Sequence, residues 1–235
     1  MNKKKLLSLA LVVIMVAMLS FGTLAWFSDS DSVTNNFAVA GGEDAEPDEI
    51  FSVDVLETVK DESGKESVIG KEGDATSDST FTYENIAPAE KLFKQPLTKN
   101  TGSYEQWVRM KVTFDNATYW IALMQKYGYD NMTDMLYMED GTTKLTASDM
   151  WTLASNETTV ENDQITYVFY YRDKLQINQG AVFFSYVHIP HEFTQDDMAP
   201  FSDGNFQMLV TGEAIQVKNI EATTAQAAFA IVEGK

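Results

Sequence analysis

A run of alternating side chains near the middle of the chain is the feature that most constrains the fold. The run reads EQWVRMKVTF and covers residues 105–114. Successive side chains of a β-strand point to opposite faces of a sheet, so this alternation predicts a strand with one face in an apolar core. One face of the predicted strand carries Val108, Met110, Val112 and Phe114, and the other carries Trp107, Arg109, Lys111 and Thr113.

Strand signals rich in aromatic and β-branched residues recur on both sides of this run. They cover residues 32–41, 50–59, a segment beginning at Phe81, 92–99, 164–172, 180–190 and 206–220. Pro96 lacks a backbone donor, so the strand over 92–99 is predicted at a sheet edge or a bulge. The Gly- and Ser-rich segment 60–79 is predicted as a hairpin tip or loop, and Pro88 fixes a turn in NIAPAE. Many short strands with few helices predict an all-β, antiparallel β-sandwich.

Three segments have helical character and form short additions to this sandwich. Residues 116–128, NATYWIALMQKYG, place large apolar side chains on one helical face, with Asn116 as the N-cap and Gly128 as the stop. A second short helix is predicted over 146–155, and the alanine-rich tail 221–232 is predicted as a third. The first two define a helical insert at about residues 116–155.

The chain begins with the features of an export signal. Three lysines at positions 3–5 precede an uncharged, apolar stretch over residues 6–25. Thr23 and Ala25 are small residues at the −3 and −1 positions of a cleavage site. The alternative is an uncleaved anchor, because twenty residues at about 1.5 Å each can cross a bilayer of about 30 Å.

We predict a signal peptide over residues 1–25 that is cut after Ala25 or after Trp26, so that Trp26 or Phe27 becomes the new N-terminus. Residues 26–49 then form an N-terminal strand and acidic linker, and residues 50–235 form the sandwich domain. The membrane is involved only through the leader before cleavage.

Charge and cysteine content exclude several classes of function. The formal net charge is −18, and removal of residues 1–25 takes away three lysines and leaves 14 basic against 35 acidic residues, a net charge of −21. Nucleic acids and anionic membrane surfaces need a positive footprint, so neither is a predicted partner. The chain has no cysteine, which excludes disulfides and thiolate chemistry.

The sequence offers no catalytic or metal-binding motif. In HIPHE, His188, His191 and Glu192 have the residue types of a zinc site, but Pro190 interrupts the continuous helix that a two-histidine motif needs. Neither a nucleophile elbow nor a phosphate-binding glycine loop is present. We therefore predict no catalytic residues, no metal and no cofactor, and the abundant aromatic residues are predicted to form core.

Three stretches of the chain resemble one family of exported proteins. The leader and the junction that follows it, KKKLLSLALVVIMVAMLSFGTLAWFSDSDSVTNNFAVAG, resemble SipW-dependent signal peptides. The stretches ENIAPAEKLFKQPLTKNTGSYEQWVRMKV and LVTGEAIQVKNI resemble the middle and the last core strand of the TasA and camelysin (CalY) family. The family has P-G-D where this chain has Pro88, Ala89 and Glu90.

The resemblance implies a jelly-roll-like sandwich, cleavage by a dedicated signal peptidase, and a role in extracellular fibres of the biofilm matrix or at the cell surface. It also implies that residues 26–40 act as a strand donated to a neighbouring subunit. The candidate donor-strand residues are Trp26, Phe27, Val33, Phe37 and Val39.

The first functional hypothesis is a secreted structural protein of a bacterial matrix or cell surface. It assembles into fibres by donor-strand complementation with itself or with related matrix subunits. The second is a monomeric secreted or surface-associated binding or adhesion module. A third, a camelysin-type metalloprotease, is disfavoured because the sequence contains no catalytic constellation.

Overall fold

Two antiparallel β-sheets form the body of this protein. The computed structural model describes residues 53–60, 66–69, 86–201 and 207–235. The predicted strand over 32–41 and the one beginning at Phe81 lie outside these residues. Within them, the predicted all-β fold with two antiparallel sheets and few helices is confirmed.

The first sheet contains six strands in the order β2-β1-β3-β10-β5, with β9 also paired to β3. Its strands are β1 (Val53–Lys60), β2 (Glu66–Ile69), β3 (Lys91–Asn100), β5 (Leu136–Tyr137), β9 (Gly180–Val182) and β10 (Tyr186–His188). The second sheet contains five strands in the order β11-β4-β8-β6, with β7 also paired to β8. Its strands are β4 (Gln106–Phe114), β6 (Trp151–Leu153), β7 (Thr159–Glu161), β8 (Gln164–Tyr171) and β11 (Met208–Gln216).

The main core lies between the two sheets and confirms the predicted faces of β4. Val108, Met110, Val112 and Phe114 are fully buried in this core. They meet apolar side chains from β8 and from the first sheet, including Tyr167, Phe169, Leu92, Val187, Phe183 and Phe184. Close packing of side chains this large supplies most of the hydrophobic stabilisation of the fold.

The described helices are few and short. They are α1 (Ala117–Tyr127), α2 (Gln195–Met198) and α3 (Ala225–Glu233), with single 3₁₀ turns at Met132–Met135, Leu145–Ala147, Ser155–Glu157 and Ala199–Phe201. Helix α3 confirms the predicted helical tail. It covers the outer face of the second sheet, where Phe229 and two alanines pack against Trp107, Val168 and Tyr170.

Helix α1 confirms the predicted helix, but its first turn is capped differently from the prediction. Asn116 precedes the helix with φ 52° and makes no side-chain cap. Asp163, at the tip of the β7–β8 hairpin, caps it instead. Its carbonyl accepts from the Ala117 N–H at 2.8 Å and its carboxylate accepts from the Thr118 N–H at 2.9 Å. Gly128 ends the helix in the left-handed conformation, as predicted.

Three local predictions are wrong. Residues 146–155 form β6 and parts of two 3₁₀ turns rather than a helix, because Trp151 and Leu153 pair with β8. Segment 60–79 contains β2, which pairs with β1. Strand β3 is not an edge, since β1 and β10 flank it. Pro96, which has no N–H to donate, lies opposite residues 183–185, the short segment that separates β9 from β10. There the Pro96 carbonyl accepts from the Phe183 N–H.

The turn at Pro88 is confirmed. The Ala87 carbonyl accepts from the Glu90 N–H at 3.2 Å, and the Glu90 carboxylate accepts in return from the Ala87 N–H at 2.8 Å. Ala89 occupies the third position with φ 68°. A glycine adopts this left-handed conformation without the steric cost that alanine carries.

Candidate interaction site

The second sheet ends in two different edges, which we name the sealed edge and the open edge. The sealed edge is β11, which pairs with β4 over its full length. In its middle, Gly212 lies so close to β1 that an added Cβ would come within 2.6 Å of Cγ2 of Val55. The absence of a side chain at Gly212 therefore lets β11 fold tightly against the first sheet.

The open edge consists of β6 and β7, which lie side by side along β8. Within the described ranges each of them pairs only with β8. All three residues of β7 are exposed, and Val160 is 54% exposed although it is apolar. Asn162 and Asp163, both with positive φ, form the two-residue turn that joins β7 to β8. Among the described strands, none pairs with the outer side of β6 or β7.

A cleft of about 310 Å³ opens beside this edge, between α1 and the strands β6 and β8. It is lined by Ile121, Met124, Gln125, Asp130, Asn131, Met132, Leu153, Ser155, Thr158, Ile165 and Tyr167. Ile165 is the cross-strand partner of Val160, so the exposed Val160 side chain lies on the same face of the hairpin as the cleft. The apolar surface of Val160 at the open edge is therefore continuous with the wall of the cleft at Ile165.

Two hydrogen-bonded groups hold the walls of the cleft in place. The hydroxyl of Tyr167 accepts from the backbone N–H of Met132 at 3.3 Å, and burial raises the pKa of this tyrosine. Asp197 anchors the far end of α1. Its carboxylate accepts from Nζ of Lys126 at 2.8 Å and from the hydroxyl of Tyr127 at 2.7 Å. The Lys126 hydrogen bond, together with that from Tyr127, holds the pKa of Asp197 well below its usual value.

Asp130 is the one charged residue among the described residues that line the cleft. Its backbone N–H donates to the carboxylate of Asp134 at 3.1 Å, and that carboxylate also binds Nζ of Lys144 at 2.7 Å. The backbone of Asp130 is thus fixed by the loop. Its own carboxylate makes no hydrogen bond or salt bridge with any described residue and is exposed at the rim.

The sealed side of the molecule carries a charged cluster that we name the C-terminal latch. Arg109 on β4 binds Glu213 on β11 and reaches Glu233 at the end of α3, 2.5 Å away. Its guanidinium also lies 4.2 Å from the ring centre of Phe229. Burial alone lowers the pKa of Arg109, but its hydrogen bonds and the charge of Glu213 outweigh burial and raise it. Arg109 is permanently charged and ties α3 to the sheet.

The NTGS motif at residues 100–103, within the middle stretch that resembles the family, has a structural role here. The buried Asn100 side chain donates to the carbonyls of Tyr104 and Leu175, at 2.7 and 3.1 Å, and accepts from the Gly102 N–H at 3.0 Å. These bonds close the connection between β3 and β4. The motif therefore stabilises a loop and contributes no group to the cleft.

The HIPHE segment has no metal-site geometry. His188 stacks on Tyr137 with ring centres 3.9 Å apart, and burial together with the charge of Lys91 lowers the pKa of this histidine. His191 is exposed beside Glu192, 3.3 Å from its carboxylate. In the described part of the chain, His, Cys, Asp and Glu side chains form no group of three or more suited to a metal ion.

The site residues predicted from the sequence lie outside the described residues. They are the cleavage-site residues Ala25, Trp26 and Phe27 and the donor-strand candidates Trp26, Phe27, Val33, Phe37 and Val39. Within the described ranges, no helix combines the length and the apolar character that a membrane span requires.

The cleft and its rim were not predicted. Met124 and Tyr167 carry the pattern of core residues, and Asp130 is one of many acidic residues in the chain. The available signal was Asn162–Asp163 between two short β-like runs, which indicates a tight hairpin turn. In the structure this turn lies beside the start of α1.

No family model, curated protein or solved structure matches this chain.

Proposed function

We propose that this protein is an exported structural subunit of a bacterial extracellular matrix or cell surface. It assembles into fibres by strand donation, in which the mature N-terminal segment 26–40 of one copy adds to the sheet of the next. The domain is proposed to have a jelly-roll-like arrangement of its two sheets. A dedicated signal peptidase releases the segment during export.

The observation that carries this proposal is the open edge with its adjacent cleft. Strand addition requires outward-facing backbone groups for main-chain hydrogen bonds and pockets for alternate side chains of the incoming strand. Strands β6 and β7 supply the backbone groups within the described ranges, and the cleft of about 310 Å³ supplies a pocket. The exposed Val160 extends the apolar contact surface along the strand.

The chemistry of the donor segment fits such an edge. Phe37 and Val39 are two residues apart and therefore project to the same side of an extended strand, while Asn36 projects to the other. An acidic linker over residues 43–49 follows.

Substitution within the donor segment tests this function. The secreted protein is purified, its N-terminus is located by mass spectrometry, and the concentrated sample is viewed by negative-stain microscopy. We expect filaments from the wild type and none from a Phe37→Ser, Val39→Ser variant. The matched control, Asn36→Ser, alters the opposite face of the same strand and should form filaments.

Two outcomes would contradict the proposal. One is a correctly cleaved wild-type protein that stays monomeric at high concentration, which favours the monomeric binding module. The other is equal filament formation by the double variant. Circular dichroism and thermal unfolding of each variant show whether a loss of filaments reflects unfolding of the domain.

A further inference from the structure

We propose that the cleft recognises the free aromatic N-terminus of a neighbouring copy. The ring of the N-terminal residue, Trp26 or Phe27, enters the apolar part of the cleft, and its α-amino group pairs with the carboxylate of Asp130. This inference rests on the proposed function, because it names the acceptor site for the donated segment.

The walls of the cleft suit one large aromatic side chain. Its volume of about 310 Å³ lies at the lower end of the range for small-ligand pockets, about 300–1,000 Å³. Six of its lining residues are apolar or aromatic: Ile121, Met124, Met132, Leu153, Ile165 and Tyr167. Methionine side chains adapt to irregular shapes and make favourable contacts between sulfur and aromatic rings. An incoming indole or phenyl ring therefore replaces water against a surface that accommodates it.

The rim of the cleft suits an amine. Asp130 is the one charged group among the described lining residues, and its carboxylate has no hydrogen-bond or salt-bridge partner among the described residues. An α-amino group has a pKa of about 7.7–8.0 and is largely protonated at neutral pH. Capture of an N-terminal amine beside a side-chain pocket is a known mode of peptide recognition. An aromatic residue at the start of a chain offers both a ring for the apolar walls and an amine for Asp130, whereas an internal aromatic residue offers the ring alone.

The chain ahead of β1 is long enough to reach another copy. From Trp26 to the start of β1 at Val53 there are 27 residues. Fully extended, these span at most about 90 Å, which exceeds the diameter of a domain of this size, about 40 Å. The leading residues can therefore dock on a neighbour while residues 32–41 lie along its sheet edge.

This arrangement couples processing to assembly. Before the leader is removed, the nitrogen of Trp26 or Phe27 belongs to a peptide bond and carries no charge. Cleavage both frees the aromatic residue and creates the amine that Asp130 binds. The unprocessed chain therefore binds the cleft more weakly than the processed chain, so cleavage favours fibre growth.

The direct test uses synthetic peptides with the sequence of residues 26–42, WFSDSDSVTNNFAVAGG, labelled at the C-terminus. One peptide has a free amine and the other is N-acetylated. Binding to the purified secreted protein is measured by fluorescence anisotropy, and both peptides are also tested as inhibitors of filament growth. We expect the free-amine peptide to bind and inhibit about 5-fold more strongly, the effect of one partly exposed ion pair. Equal binding of the two peptides would overturn the role of Asp130.

Variants of the cleft provide the second arm. Ser155→Trp fills the mouth of the cleft from an exposed position, and Asn156→Trp places the same ring on the adjacent exposed residue that does not line it. We expect Ser155→Trp to weaken peptide binding at least about 10-fold and Asn156→Trp to leave it unchanged. Asp130→Asn should remove the preference for the free amine, whereas Asp149→Asn, at an exposed site outside the cleft, should keep it.

The outcomes separate this inference from the proposed function. If the wild type forms filaments and Ser155→Trp assembles equally well, strand donation stands and the cleft is not its acceptor. If the wild type forms no filaments, the fibre proposal fails. Peptide binding that depends on Ser155 and Asp130 would still establish the cleft as an N-terminus receptor within one copy. Unfolding curves that match the wild type show that each variant is folded.

Discussion

The two edges of the second sheet differ in what lies next to them. At the sealed edge, Gly212 brings β11 against Val55 of the other sheet, and the C-terminal latch ties α3 across β4 and β11. At the open edge, β6 and β7 pair only with β8 among the described residues, and a cleft replaces the packed neighbour. Edge strands are hazards that proteins normally cover. Among the described residues no strand covers the open edge, and the proposal of strand donation depends on this difference between the two edges.

This comparison predicts that substitutions at the sealed edge reduce stability, while those at the open edge reduce assembly. The largest expected effect is at the latch. Arg109→Met removes the mostly buried guanidinium that Glu213 and Glu233 share, together with its contact to the Phe229 ring. Glu213 keeps its ion pair with Lys111, and the loss in the free energy of unfolding should be about 3 kcal/mol. The measurement is chemical denaturation followed by circular dichroism. Lys111→Met, which removes a more exposed ion pair with Glu213, should cost less than half as much, and equal losses would contradict the latch.

The second effect tests the tight packing of β11. Gly212→Ala introduces a Cβ at 2.6 Å from Cγ2 of Val55 and 3.0 Å from Sδ of Met110. Valine is stiff, so the strands must separate, and we expect a loss of about 2 kcal/mol. Thr211→Ala, at the neighbouring position, is the control and should change stability by less. A neutral Gly212→Ala variant would show that β11 is free to move away from β1.

The third effect concerns the wall of the cleft. Tyr167→Phe removes the acceptor for the Met132 N–H and should lower stability by about 1 kcal/mol. Thermal unfolding measures this change. Because the ring remains in place, the variant should still assemble. Loss of assembly without loss of stability would give the hydroxyl a direct role in binding.

The fourth effect is a dependence on pH at the latch. The hydrogen bond from Lys235 lowers the pKa of Glu233 below its ordinary value of 4.5. Burial opposes this shift, and the hydrogen bond from Arg109 adds to it. A carboxylate with a lowered folded pKa contributes stability above its unfolded pKa and loses that contribution as the pH falls through its folded pKa. Glu233 is largely solvent-screened, so this contribution is at most about 1 kcal/mol. Unfolding curves from pH 7 to 3 should show wild type and Glu233→Gln converging below about pH 4.5. A constant difference across this range would contradict the assignment.

The smallest effect on stability, and the clearest on assembly, is expected at the open edge. Val160→Lys places a charge on an apolar side chain that is already 54% exposed, so stability should change by less than about 0.5 kcal/mol. A lysine on an edge strand opposes the addition of another strand. Filament yield, measured by sedimentation, should fall. Ile177→Lys, at another exposed apolar residue, should leave the yield unchanged.

The sequence predicted the parts of the fold that depend on local pattern. The alternation around Val108 and Met110 identified β4 and its buried face, and the spacing in 116–128 identified α1. The helix predicted over residues 146–155 is wrong. The pairing of Trp151 and Leu153 with β8 outweighs the local preference of this segment. Capping of α1 by Asp163 was also missed, since that residue lies 45 positions from Thr118 in the chain.

The cleft could not be predicted for the same reason. Its walls come from α1, the loop at Asp130, β6 and β8, which are distant in sequence and meet only in the folded domain. The proposed donor segment was suggested by the family resemblance and by the aromatic pair that directly follows the predicted leader. The sequence thus revealed one partner of the proposed contact, and the structure supplied a site for the other.

Hydrogen–deuterium exchange of the assembled and monomeric protein, read out by mass spectrometry, tests the central claim most directly. We expect assembly to add protection at Thr159–Glu161 and Trp151–Leu153 of the open edge and to leave Met208–Gln216 of the sealed edge unchanged. Residues 26–40 should become protected in the same sample. New protection confined to Met208–Gln216, or none at either edge, would contradict the account.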